Sequence, residues 1–309
     1  MQHGFVRAPN GYITTIDAPG AGGGQGQGTV AFAINDAGVI AGAFQDANNV
    51  YHGFLRFPDG SFEQLDAPGA GTGAGQGTLA YSVNLPGTTT AGTYIDADGV
   101  NHGFVQTPSG RFASFDPPGS THTSVCEETC LTPGGAATGD FFDSTGTPHG
   151  FVRAPSGAIT TIDVPDALGT GAASINAEGM IAGTDFLFSG SSFLAQGFVR
   201  ARDGSFVTFL DPAANTSGSG PNGINVYSIN IAGEVTGIYF DASGVVHGFE
   251  RGANGSFTNF DAPDAGTAPF NPSTGQIQGT RPSTNNSWGQ VTGWYIDTNY
   301  VDHGFVWRP

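Results

Sequence analysis

Apolar and polar residues alternate along this chain in short runs separated by turn residues, and no stretch keeps a helical period of 3.6. The first full set reads AFAIND (31–36), GVIAGAFQD (38–46), VYHGFLRFP (50–58) and GSFEQLDAP (60–68). Each run has the length and alternation of a short strand, and Asn-Asp-Ala-Gly (35–38) and Pro-Asp-Gly (58–60) supply turns between them. Named a, b, c and d, the four recur as LAYSVN, GTTTAGTYID, NHGFVQTP and GRFASFD, and again as VYSIN, GEVTGIYFD, VHGFERGA and GSFTNFD.

The period is set by strand c. His-Gly-Phe starts at residues 3, 52, 102, 149, 247 and 303, and a seventh copy reads Gln196-Gly197-Phe198. Successive starts lie 49, 50, 47, 47, 51 and 56 residues apart, so six periods of about 50 residues fill the chain. Four antiparallel strands at that period describe a propeller blade. The expectation is an all-β chain, one domain over 1–309, folded as a six-bladed β-propeller. The last period supplies b (289–297) and c (301–309), and GYITTIDAP (11–19) is expected to close the ring as its missing strand d. HGFVRAP (3–9) is then a seventh strand c for six blades. Either one copy is displaced or the chain is cut from a longer array.

These residues carry a resemblance. The order Ile-Asn-x-x-Gly-x-Ile/Val-x-Gly, His-Gly-Phe-Val/Leu, Gly-x-Phe/Ile and a final Asp resembles the HAF family of extracellular repeats. That family's core is close to His-Ala-Phe-Leu-Trp, nearest here to HGFVW (303–307), with Gly replacing Ala in every copy. The resemblance covers nearly the whole chain. It implies an exported, propeller-like protein and assigns no catalytic residue.

Two polar series accompany the repeat. Strand b ends in Asp46, Asp96, Asp143, Asp241 and Asp297, each six residues before His52, His102, His149, His247 and His303. The fourth repeat lacks both members, with Gly190 and Gln196 in their places. Joint loss points to an Asp–His lock across the b–c hairpin, because an imidazolium is stabilised by a carboxylate. A catalytic dyad recurring five times, with no Ser or Cys nucleophile at fixed spacing, is the poorer reading. Arg7, Arg56, Arg153, Arg200 and Arg251 follow the triplet start by four residues, and Asp17, Asp66, Asp116, Asp163, Asp211 and Asp261 end strand d. Pairing between these Arg and Asp series is expected within each blade.

Strand parity puts the a–b and c–d turns on one face and the b–c and d–a connections on the other. The second face gathers GAGGGQGQGT (20–29), GAGTGAGQGT (69–78) and the stretch 264–288, so it is the expected ligand face. The Gly-rich segments read as flexible crossovers. Both Asp series end there, so the face should be acidic and could attract Ca²⁺ through oxygen ligands. Asp96-Ala-Asp98-Gly99 resembles the start of a calcium loop but lacks Glu at the twelfth position.

Composition removes several classes. There are nine Arg and no Lys against 26 acidic residues, giving a net charge of −17. Phosphate neutralisation, lysine chemistry and docking on anionic lipid are therefore excluded. Gly at 51 of 309 raises the question of disorder, but 24 Phe and 38% hydrophobic residues answer it. No apolar run is long enough to span a membrane. Met1-Gln2 leads straight into strand-like sequence, so no signal peptide is expected in this chain; processing after export and excision from a longer chain both stay open. Cys126 and Cys130 read as a local disulfide in an exported protein. Their spacing from His122 fits zinc poorly.

The functional expectation is an extracellular recognition module for a glycan or another surface component. The alternatives are a structural protein of the cell envelope or a filament, self-assembling through the extra terminal strand, and a hydrolase or lyase with a central-channel metal.

Overall fold

A computed structural model describes residues 1–84, 89–126, 129–189, 192–217, 221–271 and 273–309. All secondary structure among them is β, and no helix there is long and apolar enough to cross a membrane.

The chain opens with β1 (Gly4–Arg7) and β2 (Ile13–Ile16). The first complete repeat is β3 (Gly28–Ile34), β4 (Ile40–Gln45), β5 (Tyr51–Arg56) and β6 (Phe62–Leu65). The second is β7 (Gly77–Val83), β8 (Thr90–Ile95), β9 (Asn101–Gln106) and β10 (Phe112–Phe115). The third is β11 (His122–Val125), β12 (Ala137–Phe142), β13 (Pro148–Arg153) and β14 (Ile159–Ile162). The fourth is β15 (Gly169–Ile175), β16 (Ile181–Ser189), β17 (Ser192–Arg200) and β18 (Phe206–Phe209). The fifth is β19 (Ile224–Ile229), β20 (Val235–Phe240), β21 (Val246–Arg251) and β22 (Phe257–Phe260). Last come β23 (Gly279–Asn285), β24 (Val291–Ile296) and β25 (Asp302–Trp307).

Each complete repeat is a four-stranded antiparallel meander in the order a-b-c-d. Strand a carries the same irregularity in four of them, at Ala31/Ala33, Ala80/Ser82, Ala172/Ser174 and Val226/Ser228, and β23 repeats it at Pro282/Thr284. Such a bulge sharpens the local twist of the strand.

The His-Gly-Phe motif is explained by packing. Phe54, Phe104, Phe151, Phe198 and Phe249 are fully buried. Each lies against the Gly of its own strand b: a Cβ on Gly42 would stand 2.5 Å from the Phe54 ring. A side chain there would push the ring out of its core, so the glycine is required by close approach.

Neighbouring repeats are stitched by polar clasps. Asn35 Nδ2 donates to the Asn84 carbonyl (2.9 Å) and Asn84 Nδ2 to the Pro133 carbonyl (3.2 Å). Asn176 bonds in the same way to Asn230 (2.8 Å), and Asn230 to Asn286 (2.9 Å). The same Asn side chains cap their own a–b turns, as Asn35 Oδ1 does for the amides of Ala37 and Val39. One residue type thus ends strand a, closes the turn and grips the next repeat.

The chain divides into two compact units, one of Met1–Gly146 with Phe151–Thr160, the other of Thr147–Gly150 with Thr161–Pro309. In the first, Val39, Leu55, Leu65, Ala80, Val83 and Phe104 share an apolar cluster. In the second, Ile224, Val226, Val235, Tyr239 and Phe249 do.

The expected role of residues 11–19 changes. β2 pairs β1 from Gly4↔Ile16 to Arg7↔Ile13, and the partner of β25 among the described residues is β24. A turn closed by Ala8–Tyr12 and Gly11–Ala8 hydrogen bonds, with Gly11 at φ +90°, makes the local hairpin cheap in loop entropy. The expected disulfide is present between Cys126 and Cys130, which removes both thiolates from any zinc site with His122.

Candidate ligand-binding face

The b–c turn forms first. Asp46 Oδ1 accepts the amides of Asn48 (2.8 Å) and Val50 (2.9 Å), and Asp96, Asp241 and Asp297 repeat this double cap. Asp143 Oδ1 accepts the Thr145 amide. These amides hold the carboxyls of Asp46, Asp96 and Asp297 below the usual carboxylate range, led in each case by the amide four residues on and opposed by partial burial. The other oxygen turns toward the histidine. Asp–His distances are 3.2 Å for His102, 3.3 Å for His303, 3.5 Å for His247 and 3.8 Å for His52.

For His52, His102 and His247 the closer partner is the strand-d carboxylate. His3, His52, His102, His149 and His247 place Nδ1 2.7–2.9 Å from Asp17, Asp66, Asp116, Asp163 and Asp261. The imidazoles of His52, His102, His247 and His303 stack on Phe44, Tyr94, Tyr239 and Tyr295 at 4.9–5.0 Å. The complete motif is therefore aromatic–His–Asp across the sheet, with the strand-b Asp on the second imidazole nitrogen. His102 is pulled down by burial, but the Asp116 and Asp96 hydrogen bonds outweigh it and raise its pKa. His247 is raised chiefly by Asp261, against burial. The constant 14-residue step from His to the strand-d Asp was the signal available in the sequence.

This geometry overturns the Arg–Asp expectation. Arg56, Arg153 and Arg251 donate to the carbonyls of Phe57, Ala154 and Gly252 at the c–d turn. They stand at the other end of strand c from the histidine, about 13 Å away at strand rise. Arg153 and Arg251 also cover the rings of Phe115 (5.0 Å) and Phe209 (4.4 Å).

The fourth repeat replaces the whole row. Asp185 stands at the aromatic position and is paired in register with Gln196, while Leu210 takes the place of the strand-d Asp. Strand d has one extra residue, so Asp211 leaves the series; it is buried and accepts from Ala213 (2.8 Å) and Asn259 (3.2 Å). Asp185 is fully buried, neither carboxyl oxygen has a hydrogen-bond partner, and burial pushes its pKa up to about 7. The β16–β17 hairpin runs longer than its counterparts and carries Phe188 and Phe193, whose rings meet at a tilt with centroids 4.8 Å apart and are well exposed. Gly190 lies outside the described residues.

The Gly-rich loops are latched, where free crossovers were expected. Gln27 accepts the Gly24 amide and donates to the Ala47 carbonyl and Asn49 Oδ1 on the following b–c turn. Gln76 does the same between Gly73 and Ala97. A Cβ on Gly71 would lie 2.7 Å from the Asp96 carbonyl, so the loop is glycine-rich because it lies flat on the next turn. The loop-face Asp oxygens are engaged by turn amides and imidazoles. Among the described residues no group of three or more His, Cys, Asp or Glu could hold a metal.

Where the first Gly-rich loop meets the first b–c hairpin, a cavity of about 210 Å³ opens. Gln2, Gly26, Gly28, Phe32, Gln45, Tyr51 and Tyr81 are among its lining residues, none of which carries a formal charge. Phe32 and Tyr81 meet edge to face at 4.9 Å.

No family model matches the chain, and no curated protein matches it. Solved structures do. TolB from Acinetobacter baumannii aligns with a TM-score of 0.52 at 15% identity, over 75% of this chain and 54% of its own. AofleA from Arthrobotrys oligospora aligns with a TM-score of 0.51 at 12% identity, over 91% of this chain and 82% of its own. The chain thus spans about half the length of the TolB structure and most of AofleA. At these identities the likeness concerns the fold, and it agrees with the four-stranded antiparallel repeats: the chain has a fold of the β-propeller type.

Proposed function

We propose that this chain is an extracellular recognition module that binds a neutral glycan, or a comparable polar component of a surface, in the cavity beside the first Gly-rich loop. The reading rests on one observation: the cavity combines aromatic walls (Phe32, Tyr51, Tyr81) with carboxamides (Gln2, Gln45) and no charged lining residue. Flat apolar rings suit the C–H faces of a sugar, and amides fix its hydroxyls by hydrogen bonds. The latched loop gives the site a preformed wall, which lowers the entropy lost on binding. The Cys126–Cys130 disulfide is consistent with an oxidising compartment. Membership of the HAF repeat family is part of the same proposal.

A glycan array followed by calorimetry tests it. Saturable binding of at least one neutral sugar, weakened tenfold or more by Tyr51→Ala and by Gln45→Ala in proteins that keep their fold, is the expected result. No binding at millimolar sugar sinks it.

A structural or assembly role is the second reading, and exposed apolar residues favour it. Phe5, Tyr12 and Ile13 on and beside β1–β2 are 56–70% exposed, although Phe5 is the counterpart of the buried Phe54. Concentration-dependent self-association that Phe5→Ser abolishes would support this role over recognition.

A further inference from the structure

We propose that Glu234 and Glu250 hold a hard divalent cation of the calcium class over Gly289, at the tight-turn end of the fifth repeat and independently of the glycan site. The sequence marks the position. In the first repeat the equivalent residues are Val39 and Leu55, which are buried in one apolar cluster. In the fourth they are Met180 and Val199, and beside the last a–b turn Gln290 and Val306. The fifth repeat alone has acids at both places.

The two carboxylates converge. A Cβ on Gly289 would stand 3.4 Å from Glu250 Oε1 and 3.5 Å from Glu234 Oε2, so both oxygens border the same space beside a residue without a side chain. Glu234 is held there by Asn230, whose Nδ2 donates to Oε2 at 2.6 Å and also to the Asn286 carbonyl at 2.9 Å. Glu250 is 92% buried, and its Oε1 has no hydrogen-bond partner. No Arg or His lies within ion-pair distance of either group among the described residues; Arg251, next in sequence, is committed to the Phe209 ring. An unpartnered buried carboxylate beside a second one is costly unless a proton or a cation joins them. Carboxylate oxygens with no nitrogen or sulfur donor select hard ions such as Ca²⁺, with water completing the shell.

The test uses the full chain stripped of metal with EDTA and assayed without sugar. Calcium added to metal-free protein should raise the melting temperature saturably, by roughly 4 °C at about a hundredfold excess over Kd. Matched NaCl should not. Terbium should bind with luminescence sensitised by Trp288, the neighbour of Gly289, and calcium should displace it. The variant E234V/E250L, which carries the residues of the first repeat, should keep its fold and lose both responses. Asp96→Asn should keep them. Absence of a saturable response in the parent protein, or an equal response in E234V/E250L, overturns the proposal. If E234V/E250L does not fold, E250Q decides by the same two readings.

Discussion

Asp96 shows how one side chain serves a turn and a strand at once. Its Oδ1 takes the amides of Asp98 and Val100, and its Oδ2 lies 3.2 Å from His102. Asp98 is exposed and makes no such side-chain contact. Asp96→Ala should therefore lower the urea midpoint clearly more than Asp98→Ala, which should leave it nearly unchanged. Asp185 gives a second prediction, because its environment reverses the usual carboxylate trend. Burial raises its folded pKa from 3.8 to about 7, so between those values the folded chain keeps a proton that the unfolded chain releases. Its contribution is complete below pH 3.8 and is lost as pH rises through about 7. Asp185→Asn should remove that slope and stabilise the protein at pH 8 by roughly 2–4 kcal/mol. Urea melts of both proteins from pH 4 to 8 check this; parallel curves would refute it. The parent alone is not diagnostic, since Glu250 is also raised to about 7, by burial and then by Glu234.

At the scale of the element, the repeat is held by clasps as well as by its ladders. Asn176 caps the amides of Glu178 and Met180 and bonds the Asn230 carbonyl. Asn286 caps Trp288 and Gln290, but its Nδ2 turns to its own Gln290 side chain. Asn176→Ala should cost about 2–3 kcal/mol and Asn286→Ala about 1 kcal/mol, the difference reporting the bond between repeats. Gly42→Ala should be more damaging than either, because the ring of Phe54 leaves no room for a methyl group. Thermal melts rank the three. The two terminal elements lack such completeness. Among the described residues no strand d lies beside β25, and His303 is 42% exposed where His52, His102, His149 and His247 are 18–23%.

For the molecule as a whole, what was legible in the chain was whatever repeats. Period-2 alternation, turn residues and the recurring His-Gly-Phe determined the strands, their order and the all-β class, because those depend on neighbours close in sequence. The two cysteines, four residues apart, were readable as a disulfide for the same reason. Partner choice was not legible. The strand-b Asp was chosen for histidine by its six-residue proximity, yet the shorter contact goes to the strand-d Asp 14 residues on, because antiparallel pairing sets Asp66 beside His52. Arg failed as a partner because strand c carries it to the opposite end. Asp211 looked like a member of a series until one extra residue in strand d moved it off the row. Asp185 and Glu250 drew no attention as single acids in apolar contexts. Aligning the repeats shows that each replaces a side chain that is apolar or aromatic elsewhere; only the fold shows that both Asp185 oxygens and Glu250 Oε1 are buried without a hydrogen-bond partner. Sequence determined the elements because their hydrogen bonds and turns are local; tertiary structure decided which charges meet, because that depends on strand register and burial.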